Sequence, residues 1–363
     1  MRAVVFREPK VPMEIEDLWI DDPAPAEAIV RVVTSGLCHS DLHFIDGVFP
    51  SFGGAMVLGH EIAGIVEKVG SSVTAVKPGD RVIAAFVQPC GFCSFCESGE
   101  GHLCQVGGAT RDRDDPRLKL GDEAIGQMAG LGAFAEYLLT PASGLVKVAD
   151  DISLDVAALV GCGVMTGLGA VTNTAKVEPG STVAVIGTGG VGLNVIQGAQ
   201  LAGARQIIAV DLLEHKLAYA RKFGATDTVD ASGGDAVQQV LDISGGGVDY
   251  AFEAIGLGET ARQAFDMTRR GGTAVIVGMI APGIDIPIPG LAMLSEKKLI
   301  GSFYGSSRIH KDMPHILELA QSGKIDLEGL ITKRYDKLED VNIGFDALRN
   351  GEVARSVILV SAE

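Results

Sequence analysis

The sequence predicts an α/β protein of two domains, one rich in β-strands and one built around a doubly wound, six-stranded parallel sheet. The chain has 363 residues, more than the roughly 250–300 that a single hydrophobic core usually serves. Its first 150 residues place short apolar runs between glycine and proline turns, as irregular β-structure does. Beyond about residue 150, apolar runs alternate with amphipathic segments of helical length, which indicates parallel strands covered by helices on both faces.

The individual elements follow from the same patterns. In the β-rich part, strands are predicted at residues 3–7, 28–35, 61–69, 81–87 and 134–139. In the second part, strands are predicted at residues 182–186, 206–210, 227–229, 248–253, 273–277 and 298–303. Helices are predicted at residues 214–223 and 260–270, and a final strand at residues 356–360.

The charge balance excludes several classes of partner. Lys and Arg number 30 against 46 Asp and Glu, and no basic run occurs, so nucleic acids and anionic membranes are not expected to bind. The N-terminal MRAVVFREPK carries charges where an export signal needs an apolar run, so a cytoplasmic location is expected. Residues 179–204 are uncharged and raise a transmembrane alternative, but their seven glycines favour a buried strand, turn and helix.

A glycine-rich turn in the second part predicts a dinucleotide site. Gly187, Gly189, Gly190, Val191 and Gly192 follow an apolar strand and open a predicted helix. Glycines there permit a tight turn and a close backbone approach, and the helix N-terminus offers amide groups to a pyrophosphate. The alternative is a glycine turn required only for close packing of the strand on the helix.

An acidic residue completes the dinucleotide pattern. Asp211 stands 19 residues beyond Gly192, at the end of the next predicted strand, where a carboxylate can accept hydrogen bonds from the adenosine ribose. Its negative charge opposes a 2′-phosphate, so NAD is predicted rather than NADP. Lys216 is a further candidate ribose contact, with a solvated helix lysine as the alternative.

Four of the six cysteines lie close together, at Cys90, Cys93, Cys96 and Cys104. Spacings of three, three and eight residues let four thiolates converge on one ion, and four cysteines with no open position make a structural zinc site. An iron–sulfur cluster uses similar spacing, but its fourth cysteine usually comes sooner and precedes a proline. Unligated thiols are the other alternative.

The remaining cysteines, Cys38 and Cys162, stand apart, and His60 lies between them in the sequence. Two thiolates and one imidazole can make a zinc site whose fourth position takes water or substrate. Sequence spacing alone does not bring the three residues together, and a single cysteine is most often a small buried hydrophobic residue.

Several motifs together resemble a known family. GLCHSDLH, LGHEIAGIVEKVG, the cysteine loop, VGCGVMTG and GTGGVG occur in the order found in zinc-dependent medium-chain dehydrogenases of the alcohol dehydrogenase type, and the resemblance covers essentially the whole chain. It implies a GroES-like catalytic domain at residues 1–162 and 303–363, and a Rossmann NAD-binding domain at residues 163–302. It also implies two zinc ions per chain, one structural in the cysteine loop and one catalytic, held by Cys38, His60 and Cys162.

The resemblance also implies roles for residues beside the catalytic ligands. Ser40 and His43 resemble the hydroxyl and the imidazole of a proton path, with a helix-capping serine and an ordinary histidine as alternatives. Asp41 resembles the carboxylate that orients the zinc-bound His60. Glu61 matches an acid that approaches the zinc during ligand exchange, although a salt bridge at a helix end would also explain it.

Three further positions match cofactor contacts in the family. Thr166 and Arg355 match residues that meet the nicotinamide end and the pyrophosphate, and an arginine there gives charge-assisted contacts to phosphate. His39 occupies a place where some relatives direct an arginine at the pyrophosphate. The resemblance thus implies a weaker cofactor contact at this position.

The implied function is hydride transfer between an alcohol and NAD, giving an aldehyde or ketone. Phe49, Phe86 and residues 279–284 are expected to line the pocket, which favours a primary, apolar or aromatic alcohol. Glutathione-linked formaldehyde dehydrogenases are similar, so a thiol-adduct substrate is an alternative, but they carry an arginine where Gly108 stands. Residues 107–132 are like those of dimeric relatives, so a homodimer is expected rather than a tetramer. A non-catalytic dinucleotide-binding protein and an iron–sulfur electron carrier are the remaining alternatives.

Overall fold

A computed structural model describes residues 1–50, 53–106 and 115–362. The chain forms two compact units, Met1–Cys162 with Arg308–Glu363, and Gly163–Ser307. Gly108 and residues 107–114 of the segment compared with dimeric relatives lie outside the described residues. The first unit is mainly β-structure and the second alternates strands with helices around a parallel sheet, so the predicted fold class is confirmed.

The strands of the described residues are numbered in chain order. They are β1 (Arg2–Phe6), β2 (Glu14–Asp17), β3 (Trp19–Ile20), β4 (Glu27–Leu37), β5 (Met56–Val57), β6 (Glu61–Val69), β7 (Arg81–Ala84), β8 (Leu118–Leu120), β9 (Glu123–Gln127), β10 (Tyr137–Pro141), β11 (Leu145–Lys147), β12 (Thr182–Ile186), β13 (Gln206–Asp211), β14 (Asp227–Asp230), β15 (Val248–Glu253), β16 (Thr268–Ile276), β17 (Lys298–Gly301), β18 (Ile331–Tyr335) and β19 (Arg355–Leu359).

The α-helices are numbered in the same way. They are α1 (His39–Ile45), α2 (Ser94–Glu97), α3 (Leu154–Ala158), α4 (Gly163–Gly169), α5 (Gly190–Leu201), α6 (Glu214–Lys222), α7 (Ala236–Ser244), α8 (Gly258–Met267), α9 (Ile309–Gln321) and α10 (Val341–Arg349). A π-helical turn, Ala170–Ala175, extends α4.

Two mainly antiparallel sheets make up the first unit. One has the strand order β2-β1-β5-β9-β8-β3, and the other has the order β11-β7-β6-β4-β19-β18, with β10 also paired to β4. The long strand β4 is largely buried, and it runs antiparallel to both β6 and β19. Its C-terminal end therefore meets their N-terminal ends, with Gly36 opposite Glu61 and Leu37 opposite Ser356. This edge of the sheet carries the residues of the candidate active site.

The second unit contains a parallel sheet with the strand order β14-β13-β12-β15-β16-β17 in the described residues. The strand order reverses between β12 and β15, and in such sheets ligands bind beside the carboxyl ends of the strands at that point. Residues 179–204 contribute β12, the glycine turn and α5. No single helix in the described part of the chain is long and apolar enough to cross a membrane.

The boundary near residue 303 differs from the sequence expectation, because residues 303–307 group with the second unit. Gly305 lies so close to α4 that a Cβ atom on it would be 2.6 Å from the Met165 carbonyl oxygen. The hydroxyl oxygens of Thr174 and Ser306 are also 2.8 Å apart. This close packing keeps the turn with the parallel sheet rather than with the β-rich unit.

Candidate active site and metal centres

Four buried side chains converge at the edge where β4 ends and β6 begins. Cys38 follows β4 as the N-cap residue of α1, His60 precedes β6, and Glu61 is its first residue. Cys162 follows the turn Leu159–Gly161, which packs against β6. One potential ligand atom of each residue lies within 4.8 Å of those of the other three. Strand pairing thus brings together residues that are far apart in the sequence.

The His60 ring is oriented by Asp41. Its Nδ1 atom lies 3.4 Å from Oδ1 of Asp41 and 3.3 Å from Oδ2. Asp41 is fully buried in α1, and its Oδ1 atom also accepts a hydrogen bond of 2.8 Å from the Gly59 amide. With Nδ1 engaged by a carboxylate, Nε2 is left to face a metal, which is the arrangement expected of a zinc-bound histidine.

Charge coupling among these groups matters for metal binding. Burial alone would lower the pKa of His60, but the Asp41 carboxylate and the Cys38 thiolate outweigh burial and hold it well above its usual value. The hydrogen bond between the two thiols lowers the pKa of Cys38 and raises that of Cys162. Because zinc binds thiolates and neutral imidazole, binding must displace protons from this cluster and should strengthen as the pH rises. Two cysteines, one histidine and a carboxylate suit a zinc ion that keeps an exchangeable position.

Glu61 forms a buried ion pair with Arg355 on β19. Both side chains are almost fully enclosed, and the Arg355 guanidinium donates a hydrogen bond to the Glu61 carboxylate. Burial raises the pKa of Glu61 to about 7, although Arg355 opposes the rise. The salt bridge considered for Glu61 therefore exists, but the prediction of a helix end was wrong because both residues begin strands. A contact of Arg355 with pyrophosphate stays a prediction.

Gly36 is a site residue that the sequence reasoning missed. A Cβ atom on Gly36 would lie 2.2 Å from Oε2 of Glu61, so only glycine leaves space for this carboxylate. The available signal was a glycine inside a strand pattern, which often marks a close approach of another group. Thr188, within the glycine turn, was missed as well, because the dinucleotide pattern specifies the glycines and leaves the residue between them open.

The four-cysteine loop folds back on itself. Cys93 is the N-cap residue of α2, Cys96 lies within α2, and Cys104 follows the turn Gly101–Leu103. The Cys90 and Cys96 sulfurs are 3.9 Å apart, and those of Cys93 and Cys104 are 3.8 Å apart. Sulfurs about 2.3 Å from a tetrahedral zinc are separated by about 3.8 Å, so the arrangement fits that ion without an open position.

Backbone amides support thiolates in this loop. The Cys90 amide donates to the Cys104 sulfur and the Cys93 amide donates to the Cys90 sulfur, both at 3.3 Å. The hydrogen bond from the Cys96 backbone amide lowers the pKa of Cys93 to about 6. Metal binding to this loop is therefore assisted by the local backbone and not by the cysteines alone.

The two proton-path candidates both lie on α1. Ser40 is the second residue of the helix, so it is not the cap residue that the alternative required, and Cys38 takes that position. Its hydroxyl oxygen lies 3.7 Å from the Cys38 sulfur. His43, half-buried one turn further on, has its ring centroid 5.5 Å from that of Phe49. Burial lowers the pKa of His43 below the usual value.

The proton path that the family resemblance implies predicts that His43→Gln lowers kcat for alcohol oxidation by about 10²-fold, because a glutamine cannot accept a proton. The neutral form of His43, which accepts a proton, persists below pH 6.5 because its pKa is lowered. In the unmodified chain the acid limb of kcat should therefore lie below pH 6.5 and should be absent in the variant. Steady-state kinetics across the pH range would check this, and an identical acid limb in both proteins would contradict it.

The second unit holds the predicted cofactor turn. Gly187 has a φ of +89°, which favours glycine, and Gly189 is the N-cap residue of α5. A Cβ atom on Gly192 would lie 1.8 Å from the Gly187 carbonyl oxygen, so the close turn excludes any side chain there. Asp211 ends β13 beside this turn, and the Gly187 amide donates to the Val210 carbonyl at 2.9 Å. The structure thus places the glycine turn and the acidic residue on adjacent strands.

The other predicted cofactor and pocket residues are distributed over both units. Thr166 lies in α4 and Lys216 in α6, both half-buried, and His39 is the exposed first residue of α1. The Phe86 ring stands nearly perpendicular to the His60 ring, with centroids 5.8 Å apart. Residues 279–284 follow β16 in the second unit and include exposed apolar side chains.

Two family profiles match the chain over well more than half of its length. The profile described as "Alcohol dehydrogenase GroES-like domain" matches residues 24–150. The profile described as "Zinc-binding dehydrogenase" matches residues 190–322.

The chain is also similar to individual proteins over its full length. It is 39% identical to the NDMA-dependent alcohol dehydrogenase of Amycolatopsis methanolica, covering 100% of this chain and 99% of that protein. It is 37% identical to a probable S-(hydroxymethyl)glutathione dehydrogenase of Schizosaccharomyces pombe, covering 98% of this chain and 96% of that protein. The crystal structure of benzyl alcohol dehydrogenase from Acinetobacter calcoaceticus aligns with a TM-score of 0.93 at 30% identity, covering 99% of each chain.

Proposed function

Because the chain belongs to the zinc-dependent medium-chain alcohol dehydrogenase family, we propose that it transfers hydride between a primary, apolar or aromatic alcohol and NAD. The chain has zinc-dependent alcohol dehydrogenase activity and two zinc sites. The observation that carries the proposal is the meeting of Cys38, His60 and Cys162, with the Glu61 carboxylate rather than a fourth sulfur beside them. Such a donor set leaves a position at which an alcohol can exchange.

Residues of the chain itself would carry the hydroxyl proton of the alcohol away from the zinc site. Zinc, when bound, supplies a Lewis acid that makes the alcohol hydroxyl more acidic. Asp41 holds the His60 ring in one orientation and excludes the other tautomer. Ser40, whose hydroxyl lies beside the Cys38 sulfur, would receive the hydroxyl proton. His43, whose pKa is lowered by burial, would pass the proton toward solvent from its position further along α1.

Binding of NAD is assigned to the second unit. NAD, when bound, accepts the hydride. The backbone amides of the turn Gly187–Gly192 would hold its pyrophosphate, and Asp211 would accept hydrogen bonds from its adenosine ribose. Thr166, Lys216, Arg355 and His39 remain proposed contacts with the rest of the cofactor.

The aromatic surroundings of the candidate site support an apolar or aromatic alcohol. The Phe86 ring stands nearly perpendicular to His60, and the Phe49 ring lies against His43, so aromatic side chains border both the zinc ligands and the proposed proton path. The similarity to benzyl alcohol dehydrogenase points in the same direction. A thiol adduct such as S-(hydroxymethyl)glutathione is the second candidate, because a relative of that description is 37% identical.

A substrate panel tests the proposal directly. Initial rates with NAD would be measured for benzyl alcohol, a long-chain primary alcohol, ethanol, and formaldehyde with glutathione. We expect the highest kcat/KM for the first two, and a higher value for the glutathione adduct would overturn the substrate assignment. A parallel assay containing NDMA would show whether the requirement in the name of one relative also holds here.

Metal analysis separates the proposal from its competitors. Two zinc ions per chain are expected, one for each site. One zinc without activity would support a non-catalytic dinucleotide-binding protein, and iron with sulfide would support an electron carrier. The second unit is expected to bind NAD in the first two cases only.

We also propose that the chain forms a homodimer through the edge of the second unit. In the described residues β17 ends the parallel sheet, so one side of its backbone has no neighbouring strand there. Leu291 and Leu294, just before β17, are both 80% exposed. An unpaired edge beside an exposed apolar surface suits antiparallel pairing with a second copy.

Light scattering should give a dimer for the unmodified chain and a monomer for the double variant Leu291→Glu with Leu294→Glu. A double variant that is still dimeric would contradict this interface.

A further inference from the structure

Thr188 links the glycine turn to Asp211, the acidic residue that ends β13. It lies between Gly187 and Gly189 and is only 1% exposed. Its backbone amide donates to Oδ2 of Asp211 at 2.8 Å, and its hydroxyl donates to the same oxygen at 2.9 Å. Two donors from one residue thus hold one carboxylate oxygen.

The other carboxylate oxygen is held by the two residues that follow Asp211. Oδ1 of Asp211 accepts hydrogen bonds from the Leu212 amide at 2.8 Å and the Leu213 amide at 3.2 Å. Leu213 is the N-cap residue of α6, so these two donors are fixed by the start of that helix. With two donors on each oxygen among the described residues, the plane of this carboxylate is fixed, and a ribose hydroxyl would share Oδ1 with the longest of the four contacts, the 3.2 Å one from Leu213. Thr188 provides the one side-chain donor among those four.

We propose that Thr188 is a specificity-determining positioning residue, which holds the Asp211 carboxylate against the glycine turn so that the site accepts NAD and rejects NADP. This inference rests on the proposed binding of NAD. A 2′-phosphate could be tolerated only if the carboxylate turned away, and such a turn breaks both hydrogen bonds to Thr188. The ribose diol of NAD meets a carboxylate that is already oriented, so less ordering is needed on binding.

The hydroxyl of Thr188 is the part of this arrangement that a substitution can remove cleanly. Valine has nearly the same shape, keeps the backbone amide and lacks the hydroxyl, whereas serine keeps the hydroxyl and lacks the methyl group. Because the Thr188 hydroxyl donates its hydrogen bond to a charged carboxylate, loss of the hydroxyl should weaken NAD binding about tenfold. The Thr188 side chain takes no part in the proposed proton path, whose residues Ser40 and His43 belong to the other unit, so kcat should be unaffected.

The test compares Thr188→Val with Thr188→Ser for both cofactors, using the intact zinc-loaded chain. We expect Thr188→Val to raise the KM for NAD about tenfold, to leave kcat within about twofold, and to raise the ratio of NADP to NAD use. Thr188→Ser should resemble the unmodified chain in all three respects. If Thr188→Val folds poorly, Thr188→Ala gives the same comparison, with the melting temperature recorded for each variant.

A variant that lacks the Asp211 carboxylate tests whether Thr188 acts through that carboxylate. In Asp211→Gly, which should itself relax the preference for NAD, adding Thr188→Val should not change the cofactor ratio further. An unchanged ratio in Thr188→Val, an equal loss in Thr188→Ser, or additive effects in the double variant would each overturn the role of Thr188. If the unmodified chain bound neither dinucleotide, the proposed cofactor itself would be wrong.

Discussion

Cys38→Ser should lower kcat/KM for alcohol oxidation by about 10³-fold or more, because a bound metal stabilises the transition state by several kcal/mol. Serine oxygen is a poor replacement for a thiolate ligand, and the neighbouring Cys162 and His60 would be left with an incomplete set. Dissociation constants for NAD should stay close to those of the unmodified chain, since the glycine turn lies in the other unit. Steady-state rates, cofactor titration and zinc content would be measured on the same preparation.

Cys96→Ser provides the matched control, since it removes a thiolate ligand from the other metal site. It should reduce zinc content by one ion per chain and lower thermal stability, because structural zinc contributes directly to folding. The molecules that stay folded should retain alcohol oxidation. Full activity in Cys38→Ser, or equal loss of specific activity in the two folded variants, would contradict the division into a catalytic and a structural site.

The parts of the fold that the sequence predicts best have a strong local pattern. Strand β6 was predicted at its observed bounds, and the glycine turn correctly separated β12 from α5. Strands of two or three residues, such as β3 and β5, are too short to show alternation, and they form because longer strands beside them offer hydrogen bonds. Strand β16 begins at Thr268 rather than at the predicted residue 273, because residues 268–270, predicted as the end of a helix, belong to the strand, where its register with β15 is irregular.

The residues of the candidate site also divide into those that a local pattern predicts and those that only strand pairing brings together. Close spacing was enough to predict the four-cysteine site, because its ligands come from one short loop. The meeting of Cys38, His60 and Cys162 depends on strand pairing, which no local pattern reveals, and the family resemblance alone suggested it. The pairing of Glu61 with Arg355 joins residues 294 positions apart, and only the register of β4 with β6 and β19 explains it.

The buried ion pair between Glu61 and Arg355 is expected to have a large effect on the stability of the fold. Well above the Glu61 pKa of about 7, Glu61→Gln should lower the free energy of unfolding by about 3–5 kcal/mol, because it leaves the Arg355 guanidinium buried without a counter-charge. A guanidinium does not lose its proton at accessible pH, so the protein has no means of relieving the charge. Urea unfolding followed by circular dichroism in excess zinc would measure the loss, with zinc content recorded for each variant.

Arg355→Met should be less damaging than Glu61→Gln and should depend on pH. Burial already raises the pKa of Glu61 to about 7 from a usual 4.5, and Arg355 opposes that rise, so its removal raises the pKa further. A carboxyl group whose pKa is higher in the folded than in the unfolded state stabilises the fold below its unfolded pKa, and this stabilisation is lost as the pH rises. Arg355→Met should therefore be at least as stable as the unmodified chain at pH 5, where Glu61 is neutral in both, and markedly less stable at pH 8.

Glu61→Gln with Arg355→Met completes the comparison. With both charges removed, stability should return to within about 1 kcal/mol of the unmodified chain, since a buried pair replaced by neutral groups of similar volume is often neutral overall. The stability losses of the two single variants should therefore not add. The difference between their sum and the loss in the double variant measures the interaction free energy between Glu61 and Arg355. Additive losses, or a pH-independent loss in Arg355→Met, would show that Glu61 is held by something other than Arg355.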